Sequence, residues 1–147
     1  MRTTNGTSVS GFIGNHRRIL VVEDEAMIRM FVAEYLQDCG HEVLEAGNVA
    51  EAKDILADTP VDLVFSDINM PGAENGFALE KWVRRHYPDT KVLLTSGYPH
   101  GPADTAGLLE PMILKPFACP ALLARIEAVL CIGNDAPPLP AFGRRAA

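Results

Sequence analysis

Several residues with reactive side chains stand directly after short apolar runs in this sequence. They are Glu23, Asp24, Asp67, Thr95 and Lys115. Carboxylates held close together repel one another and favour a bound cation, and hard oxygen ligands suit Mg²⁺ better than zinc. A lysine beside them adds a positive charge where phosphate oxygens could lie, and a threonine hydroxyl can form a hydrogen bond there. If the fold brings these residues together, they form a site suited to Mg²⁺ and an incoming phosphoryl group.

The segments around these residues alternate between strand and helix patterns. Short runs rich in apolar or β-branched residues predict strands at residues 18–22, 42–46, 61–65, 91–94 and 112–114. Apolar residues at three-to-four spacing predict helices at 26–39, 77–86 and 120–130. The apolar set of the first helix is Ile28, Phe31, Val32, Tyr35 and Leu36. A further helix follows Asn48, which together with Glu51 matches an N-terminal capping pattern.

Between residues 95 and 110 the alternation is interrupted, so we expect any fourth helix there to be short or irregular. The interrupting residues are Pro99, Gly101, Pro102 and Gly107. The pattern still predicts five βα units. Parallel strands joined by right-handed crossovers give an α/β fold, a flavodoxin-like, doubly wound parallel sheet of three layers with strand order 2-1-3-4-5. Sites in such folds lie beyond the carboxyl ends of the strands, which is where the reactive residues stand.

The bulk properties predict a single domain with two flexible ends. A chain of 147 residues, 48% of them apolar, is long enough for one core. The unperiodic residues 1–16 and the proline-rich residues 133–147 are expected to be flexible, which leaves a domain at 17–132. A net charge of -6 argues against nucleic-acid binding, and Arg84 and Arg85 are expected on a solvated helix face. No run approaches the roughly 18 apolar residues of a membrane span, so we expect a cytoplasmic location.

Four segments of the predicted domain together resemble the response-regulator receiver family of two-component signalling. They are Ile-Leu-Val-Val-Glu-Asp-Glu at 19–25, Asp-Ile-Asn-Met-Pro-Gly at 67–72, Leu-Thr-Ser-Gly at 94–97 and Leu-Lys-Pro-Phe at 114–117. The segments stand in the family's order at the ends of the predicted strands. The resemblance therefore makes residues 17–132 a receiver domain.

The resemblance also assigns roles to the residues of the predicted site. Asp67 would accept the phosphoryl group, with Thr95 as the switch hydroxyl and Lys115 as the partner of the phosphate. The implied ligands of a Mg²⁺ ion are Asp24, Asp67, Glu23 acting through water, and the backbone carbonyl of Asn69. The Lys115–Pro116 bond resembles the family's cis peptide, which is reasonable because a cis bond is readily adopted only before proline.

The implied phosphodonor is a sensor histidine kinase or a histidine phosphotransfer protein. The protein would catalyse nothing beyond its own phosphoryl transfer and autodephosphorylation. No segment after Leu130 resembles a DNA-binding or enzymatic output domain, so we expect output through protein contacts or onward phosphotransfer. The chain could serve as a shuttle, a sink or a binding switch, and a phosphorylation-dependent homodimer is a further option. If the chain was cut from a longer hybrid kinase, its tail is a linker.

The resemblance leaves the switching side chain open, together with one alternative function. Many family members have an aromatic residue three positions before the lysine, where this sequence has Met112. Tyr98 could replace that residue, or the glycine- and proline-rich segment could rearrange instead. A phosphate-independent adaptor is the alternative function, although such proteins usually lack an acidic or lysine residue that is present here. A haloacid-dehalogenase phosphatase is disfavoured, because that family needs a second aspartate where this chain has Asn69.

Overall fold

The described part of the chain forms a five-stranded parallel sheet with two helices on each face. The computed structural model describes residues 16–97, 105, 107–108 and 111–134. The strands are β1 (Arg18–Val22), β2 (Glu42–Ala46), β3 (Leu63–Asp67), β4 (Lys91–Ser96) and β5 (Ile113–Leu114). The helices are α1 (Ala26–Asp38), α2 (Val49–Asp58), α3 (Gly76–His86) and α4 (Cys119–Asn134). None of these four helices is both long and apolar enough to cross a membrane.

The sheet has the strand order β2-β1-β3-β4-β5 with each neighbouring pair parallel, which confirms the predicted doubly wound, flavodoxin-like architecture. Successive residues of a strand face opposite sides of the sheet, so each central strand contributes to two cores. On one face α1 and α4 pack against Ile19 and Phe65. On the other face α2 and α3 pack against Leu20 and Val22. Burial on both faces explains why β1 is a continuous apolar run.

The third strand lies two residues further along the chain than predicted. The apolar run at 61–65 predicted its position, but pairing with the neighbouring strands starts at Leu63 and continues to Asp67. Asp62 comes before the ladder, where its Oδ2 accepts a hydrogen bond from the Arg18 backbone N–H at 2.8 Å. β4 likewise continues beyond its predicted end, and β5 starts one residue late. Asp67 is therefore held within the sheet and not in a loop.

Side-chain caps fix the starts of two helices. Asn48 Oδ1 accepts a hydrogen bond from the Glu51 backbone N–H at 2.9 Å, which confirms the predicted cap of α2. Glu51 reinforces the cap, because its Oε1 accepts from the Gly47 backbone N–H at 2.7 Å. Asn75 Oδ1 accepts from the Ala78 backbone N–H at 3.0 Å. This second cap, which was not predicted, starts α3 one residue earlier than expected.

The apolar set predicted for α1 is only partly buried. Val32 and Leu36 lie in the core, and Ala33 lies there with them. Phe31 is 65% exposed, so the prediction that it belongs to the buried apolar set of this helix is wrong. An α-helix turns by about 100° per residue, so position 31 lies roughly 150° around the helix from the centre of a stripe at positions 32, 33 and 36, on the exposed side.

Two predictions fall mainly outside the described residues. The predicted flexible ends at 1–16 and 133–147 lie outside them except for His16 and residues 133–134, which belong to α4. α4, the fifth helix of the predicted pattern, continues past residue 130, since the next proline is Pro137. The predicted short fourth helix also lies outside, apart from Thr105, Gly107 and Leu108. There the Leu108 N–H donates to the Thr105 carbonyl at 3.1 Å.

His41 is a buried histidine directly before β2. It is 6% exposed, and its Nδ1 accepts a hydrogen bond from the Arg17 backbone N–H at 3.1 Å. A ring nitrogen that accepts a hydrogen bond carries no proton, so this contact requires the neutral imidazole. Burial, reinforced by the charges of His16 and Arg17, lowers the pKa of His41 from 6.5 to about 4.

We expect His41 to reduce the free energy of unfolding as the pH falls from 6.5 towards about 4. Over that interval the unfolded chain binds a proton on this ring and the folded protein does not, so the contribution is complete above the interval and is lost below it. The loss reaches up to about 3 kcal/mol. Urea unfolding of the wild type and His41→Asn at about pH 7.5 and about pH 4.5 measures it, because asparagine keeps an acceptor but does not titrate. If the free energy of unfolding falls equally in the two proteins between about pH 7.5 and about pH 4.5, the expectation is contradicted.

Candidate functional site

The structure brings the predicted reactive residues together at the carboxyl end of the sheet. They are Glu23 and Asp24 after β1, Asp67 at the end of β3, Thr95 near the end of β4 and Lys115 after β5. Carboxylate oxygens of Glu23, Asp24 and Asp67 lie within 4.8 Å of one another. The topology causes this convergence, because β1 and β3 are neighbours and parallel strands end at the same edge of a sheet.

Lys115 joins the two buried carboxylates of this cluster. Its Nζ lies 3.1 Å from Glu23 Oε1 and 3.2 Å from Asp67 Oδ2. Glu23 and Asp67 are 4% and 6% exposed, so both ion pairs are largely shielded from water. The Lys115–Pro116 peptide is cis, and the Lys115 backbone N–H donates to the Ser96 carbonyl at 2.9 Å. The lysine is thus held by its backbone to β4 and by its side chain to the carboxylates.

Burial and charge act in opposite directions on these ionisable groups. Burial raises the pKa of Glu23, and the hydrogen bonds from Glu25 and Lys115 only partly oppose this effect. Burial alone would lower the pKa of Lys115, but its hydrogen bond to Glu23 and the charge of Asp67 reverse that effect and raise it. Lys115 therefore keeps its positive charge at neutral pH and can pair with phosphoryl oxygens.

Close contacts fix the position of Asp67. The Asn69 backbone N–H donates to Asp67 Oδ1 at 3.3 Å, and Ser66 Oγ donates to the Asp67 carbonyl at 2.8 Å. Gly76, at the start of α3, approaches so closely that a Cβ there would lie 2.5 Å from the Asp67 carbonyl oxygen and 2.7 Å from Ile68 Cα. The approach requires glycine, because any side chain would overlap the backbone of β3. α3 is therefore packed directly against the residue that carries the central carboxylate.

Thr95 is the neighbour of Asp67 on β4. The two residues are register partners, and the Ile68 N–H donates to the Thr95 carbonyl at 3.0 Å. Thr95 is 1% exposed, and its hydroxyl has no hydrogen-bond partner among the described residues. A buried hydroxyl without a partner costs about 1–3 kcal/mol. An acceptor oxygen that came within reach of the Thr95 hydroxyl would therefore gain a hydrogen bond.

The donor set of the cluster fits Mg²⁺. Its three ligand groups are all carboxylates, and Asp24 is exposed while Glu23 and Asp67 are buried, so the cluster opens to solvent on one side. Mg²⁺ prefers oxygen ligands and keeps several waters, which such an opening admits. Both Glu23 oxygens already have partners, Lys115 and the Glu25 backbone N–H at 3.2 Å. That arrangement is compatible with the predicted water-mediated role of Glu23, and the role of the Asn69 carbonyl stays a prediction.

Two residues that shape the site were not predicted from the sequence. Arg29 on α1 donates from Nη1 to the Glu23 carbonyl at 2.8 Å and from Nε to Glu45 Oε1 at 3.1 Å. It thereby ties the segment that carries Glu23 and Asp24 to β2. The signal in the sequence is an arginine within a largely apolar helix, and the spacing of apolar residues does not indicate what such an arginine contacts. Gly76 was missed because a close backbone approach leaves no mark on the apolar pattern.

The candidates for the switching side chain are divided between described and undescribed positions. Met112, which stands three residues before Lys115, is half-buried. Tyr98 lies outside the described residues, as does most of the glycine- and proline-rich segment. The choice among Met112, Tyr98 and a rearrangement of that segment stays a prediction.

The sequence pattern of this chain is shared with known signalling proteins. A model of the response regulator receiver domain matches residues 19–127. The chain is 33% identical over 119 residues to the phosphate regulon transcriptional regulatory protein PhoB of Pseudomonas aeruginosa, covering 78% of this chain and 52% of that protein. It is 34% identical over 120 residues to the sensor kinase CckA of Brucella abortus, covering 76% of this chain and 12% of that protein. It thus spans about half the length of the first relative and a small part of the second.

The fold is shared with solved receiver structures over nearly their whole length. A CheY-like response regulator receiver domain protein from Methanospirillum hungatei has a TM-score of 0.75 and 25% identity, covering 82% of this chain and 98% of that one. The response regulator TrrA from Thermotoga maritima, solved in complex with Mg(2+)-BeF, has a TM-score of 0.69 and 32% identity. That match covers 77% of this chain and 98% of the other.

Proposed function

This chain belongs to the response regulator receiver domain family, and from that membership we propose that it is a phosphorylation-dependent switch in which Asp67 accepts the phosphoryl group. Receiver domains are signalling modules and not classical enzymes. The observation that carries the proposal is the position of Lys115, whose Nζ lies 3.1 Å from Glu23 and 3.2 Å from Asp67. A fixed cation at this point would stabilise the negative charge of a phosphoryl group on Asp67.

The proposed transfer needs little acid–base chemistry. An oxygen of Asp67 forms a bond to the phosphorus of a phosphohistidine while the bond from phosphorus to the imidazole nitrogen breaks. Lys115 then moves a hydrogen bond from the Asp67 carboxylate to a phosphoryl oxygen. The proposed Mg²⁺ ligands are Asp24, Asp67, Glu23 through water and the backbone carbonyl of Asn69. The ion, when bound, neutralises negative charge on the phosphoryl oxygens.

Thr95 is the proposed link between phosphorylation and a change of shape. A phosphoryl group adds nearly two negative charges and new acceptor oxygens. A hydrogen bond to one of these oxygens would satisfy the Thr95 hydroxyl, which has no partner within the described part of the chain. Thr95 is the next-to-last residue of β4, so its movement biases the connection that follows β4 between two arrangements.

The proposed partners follow from this chemistry. The phosphodonor is a sensor histidine kinase or a histidine phosphotransfer protein, and the location is the cytoplasm. Similar segments belong to relatives named a transcriptional regulatory protein and a sensor kinase, so the family membership fits more than one kind of pathway. Output passes through protein contacts, including a phosphorylation-dependent homodimer, or through onward phosphotransfer. We assign this activity to a receiver domain at residues 17–132.

Incubation with Mg²⁺ and a small acyl-phosphate donor, followed by intact mass measurement, tests the proposed function. We expect a gain of one phosphoryl group with Mg²⁺ and none after chelation, because the clustered carboxylates otherwise repel the anionic donor. A folded protein that gains no mass while a control receiver is phosphorylated would contradict the proposal. That result would favour the alternative function, a phosphate-independent adaptor.

A further inference from the structure

An arginine on α3 contacts the connection between β4 and β5. Arg84 Nη1 donates to the Gly107 carbonyl at 2.9 Å. Its Nη2 donates to Glu80 Oε1 at 3.2 Å, one helical turn earlier. The nitrogens of one planar guanidinium therefore link a core helix to the turn in which Leu108 N–H donates to the Thr105 carbonyl.

Glu80 is more buried than an ordinary carboxylate on a helix. It is 4% exposed, and burial raises its pKa although Arg84 lies beside it. Removing a carboxylate from water is unfavourable unless the group is paired, so the contact with Arg84 is needed to retain Glu80 at this position. In return the buried carboxylate fixes the orientation of Arg84. Because the guanidinium is rigid, holding Nη2 on Glu80 also holds Nη1 towards Gly107.

We propose that Glu80 and Arg84 form a latch that holds the turn at Thr105, Gly107 and Leu108 against α3 in the unphosphorylated protein. The inference rests on the proposed function, because it concerns the response of that turn to phosphorylation of Asp67. The turn follows β4, the strand that carries Thr95, and Thr95 moves towards the phosphoryl group in the proposed switch. The hydrogen bond from Arg84 to the Gly107 carbonyl breaks when the turn moves.

The latch shifts the equilibrium towards the unphosphorylated arrangement but does not prevent the switched one. The Arg84 side chain is 37% exposed, so its hydrogen bond to Gly107 competes with water and contributes modestly. When a ligand binds only one arrangement of a protein, its apparent affinity is the affinity for that arrangement multiplied by the fraction of molecules that adopt it. Loss of the latch raises the population of the switched arrangement. A phosphoryl mimic should then bind more tightly.

The test compares the wild type with three variants by calorimetric titration with beryllofluoride in the presence of Mg²⁺, the pair present in the TrrA complex. In Arg84→Gln the latch is lost, and we expect the apparent affinity to tighten about three- to tenfold. Glu80→Gln keeps an acceptor oxygen for Arg84 but removes the negative charge of the carboxylate. The affinity for beryllofluoride should therefore tighten less than in Arg84→Gln. Arg85→Gln makes the same charge change as Arg84→Gln at an exposed neighbouring position and should leave the affinity unchanged.

Amide hydrogen exchange without ligand gives a second readout of the latch. We expect faster exchange in the turn at residues 105–108 for Arg84→Gln but not for Arg85→Gln. Unchanged or weaker beryllofluoride binding by folded Arg84→Gln, or equal tightening by Arg85→Gln, would overturn the latch. If the wild type binds no beryllofluoride and gains no phosphoryl group, the proposed function fails. In that case an unchanged rate of amide exchange in the turn of Arg84→Gln overturns the latch as well. A faster rate supports the contact between Arg84 and the turn.

Discussion

Asp67→Asn is expected to abolish phosphoryl uptake and to leave the protein folded. The substitution removes the carboxylate that we propose as the nucleophile. It keeps a side-chain oxygen that can accept the hydrogen bond from the Asn69 backbone N–H, whose nitrogen lies 3.3 Å from Asp67 Oδ1. The ion pair with Lys115 is lost, yet repulsion with Glu23 also disappears, because their carboxylate oxygens lie within 4.8 Å in the wild type. These two effects oppose each other, so we expect the free energy of unfolding to change by about 1 kcal/mol or less.

Asp54, on the exposed side of α2, provides a matched control for this variant. Asp54→Asn makes the same change of charge away from the site and should be phosphorylated at the wild-type rate. Intact mass after incubation with Mg²⁺ and acyl phosphate measures uptake in all three proteins, and circular dichroism confirms their fold. Uptake by folded Asp67→Asn at the rate of the Asp54→Asn control would show that another residue is the acceptor.

Gly76→Ala is expected to destabilise the protein by roughly 2 kcal/mol or more. Helix propensity alone predicts the opposite, since alanine is favoured over glycine within a helix by up to about 1 kcal/mol. The new Cβ, however, would lie 2.5 Å from the Asp67 carbonyl oxygen, and real Cβ atoms essentially never approach other heavy atoms within 3.0 Å. That oxygen belongs to the backbone of a buried strand and cannot rotate away as a flexible side chain would. The steric effect therefore outweighs the propensity.

Gly97 offers a control for the same chemical change. Among the described residues, and apart from the chain neighbours of Gly97, no heavy atom lies within 4 Å of a Cβ built at this position. Gly97→Ala should therefore change the free energy of unfolding by about 0.5 kcal/mol or less. Urea unfolding can be followed by the fluorescence of Trp82, the single tryptophan of the chain. A Gly76→Ala protein as stable as Gly97→Ala would contradict the close packing of α3 against Asp67.

Local signals made β1 and the start of α2 predictable from the sequence. A run buried on both faces predicted β1, and the side chain of Asn48 predicted the cap of α2. The ends of β3 and β4 were not predictable in the same way. Their apolar residues stop at Phe65 and Leu94, but backbone pairing continues through polar residues as far as Asp67 and its partner on β4. Ladder hydrogen bonds join backbone groups and do not depend on apolar side chains.

Topology made the membership of the site predictable, whereas several of its supporting contacts were not. Asp67 ends β3 and Lys115 follows β5 in one parallel sheet, so the topology places both residues at the same edge of the sheet. The contact of Arg84 with Gly107 joins residues 23 positions apart through a side chain assigned to a solvated helix face. Such a contact depends on the rotamer of a long side chain and on the path of an irregular segment. Neither is encoded in a periodic pattern.

Reduction of the phosphorylated protein with borohydride, followed by peptide mass spectrometry, tests the central claim most directly. Borohydride reduces an aspartyl phosphate to homoserine, so the modified position can be identified within the chain. We predict homoserine at position 67 and unchanged residues at Glu23 and Asp24 after treatment with Mg²⁺ and acyl phosphate. Homoserine at position 24, or 2-amino-5-hydroxypentanoic acid (the product from a glutamyl phosphate) at position 23, in place of homoserine at 67 would contradict the assignment of Asp67 as the phosphoacceptor. A phosphoryl group that is retained on a histidine would contradict it as well.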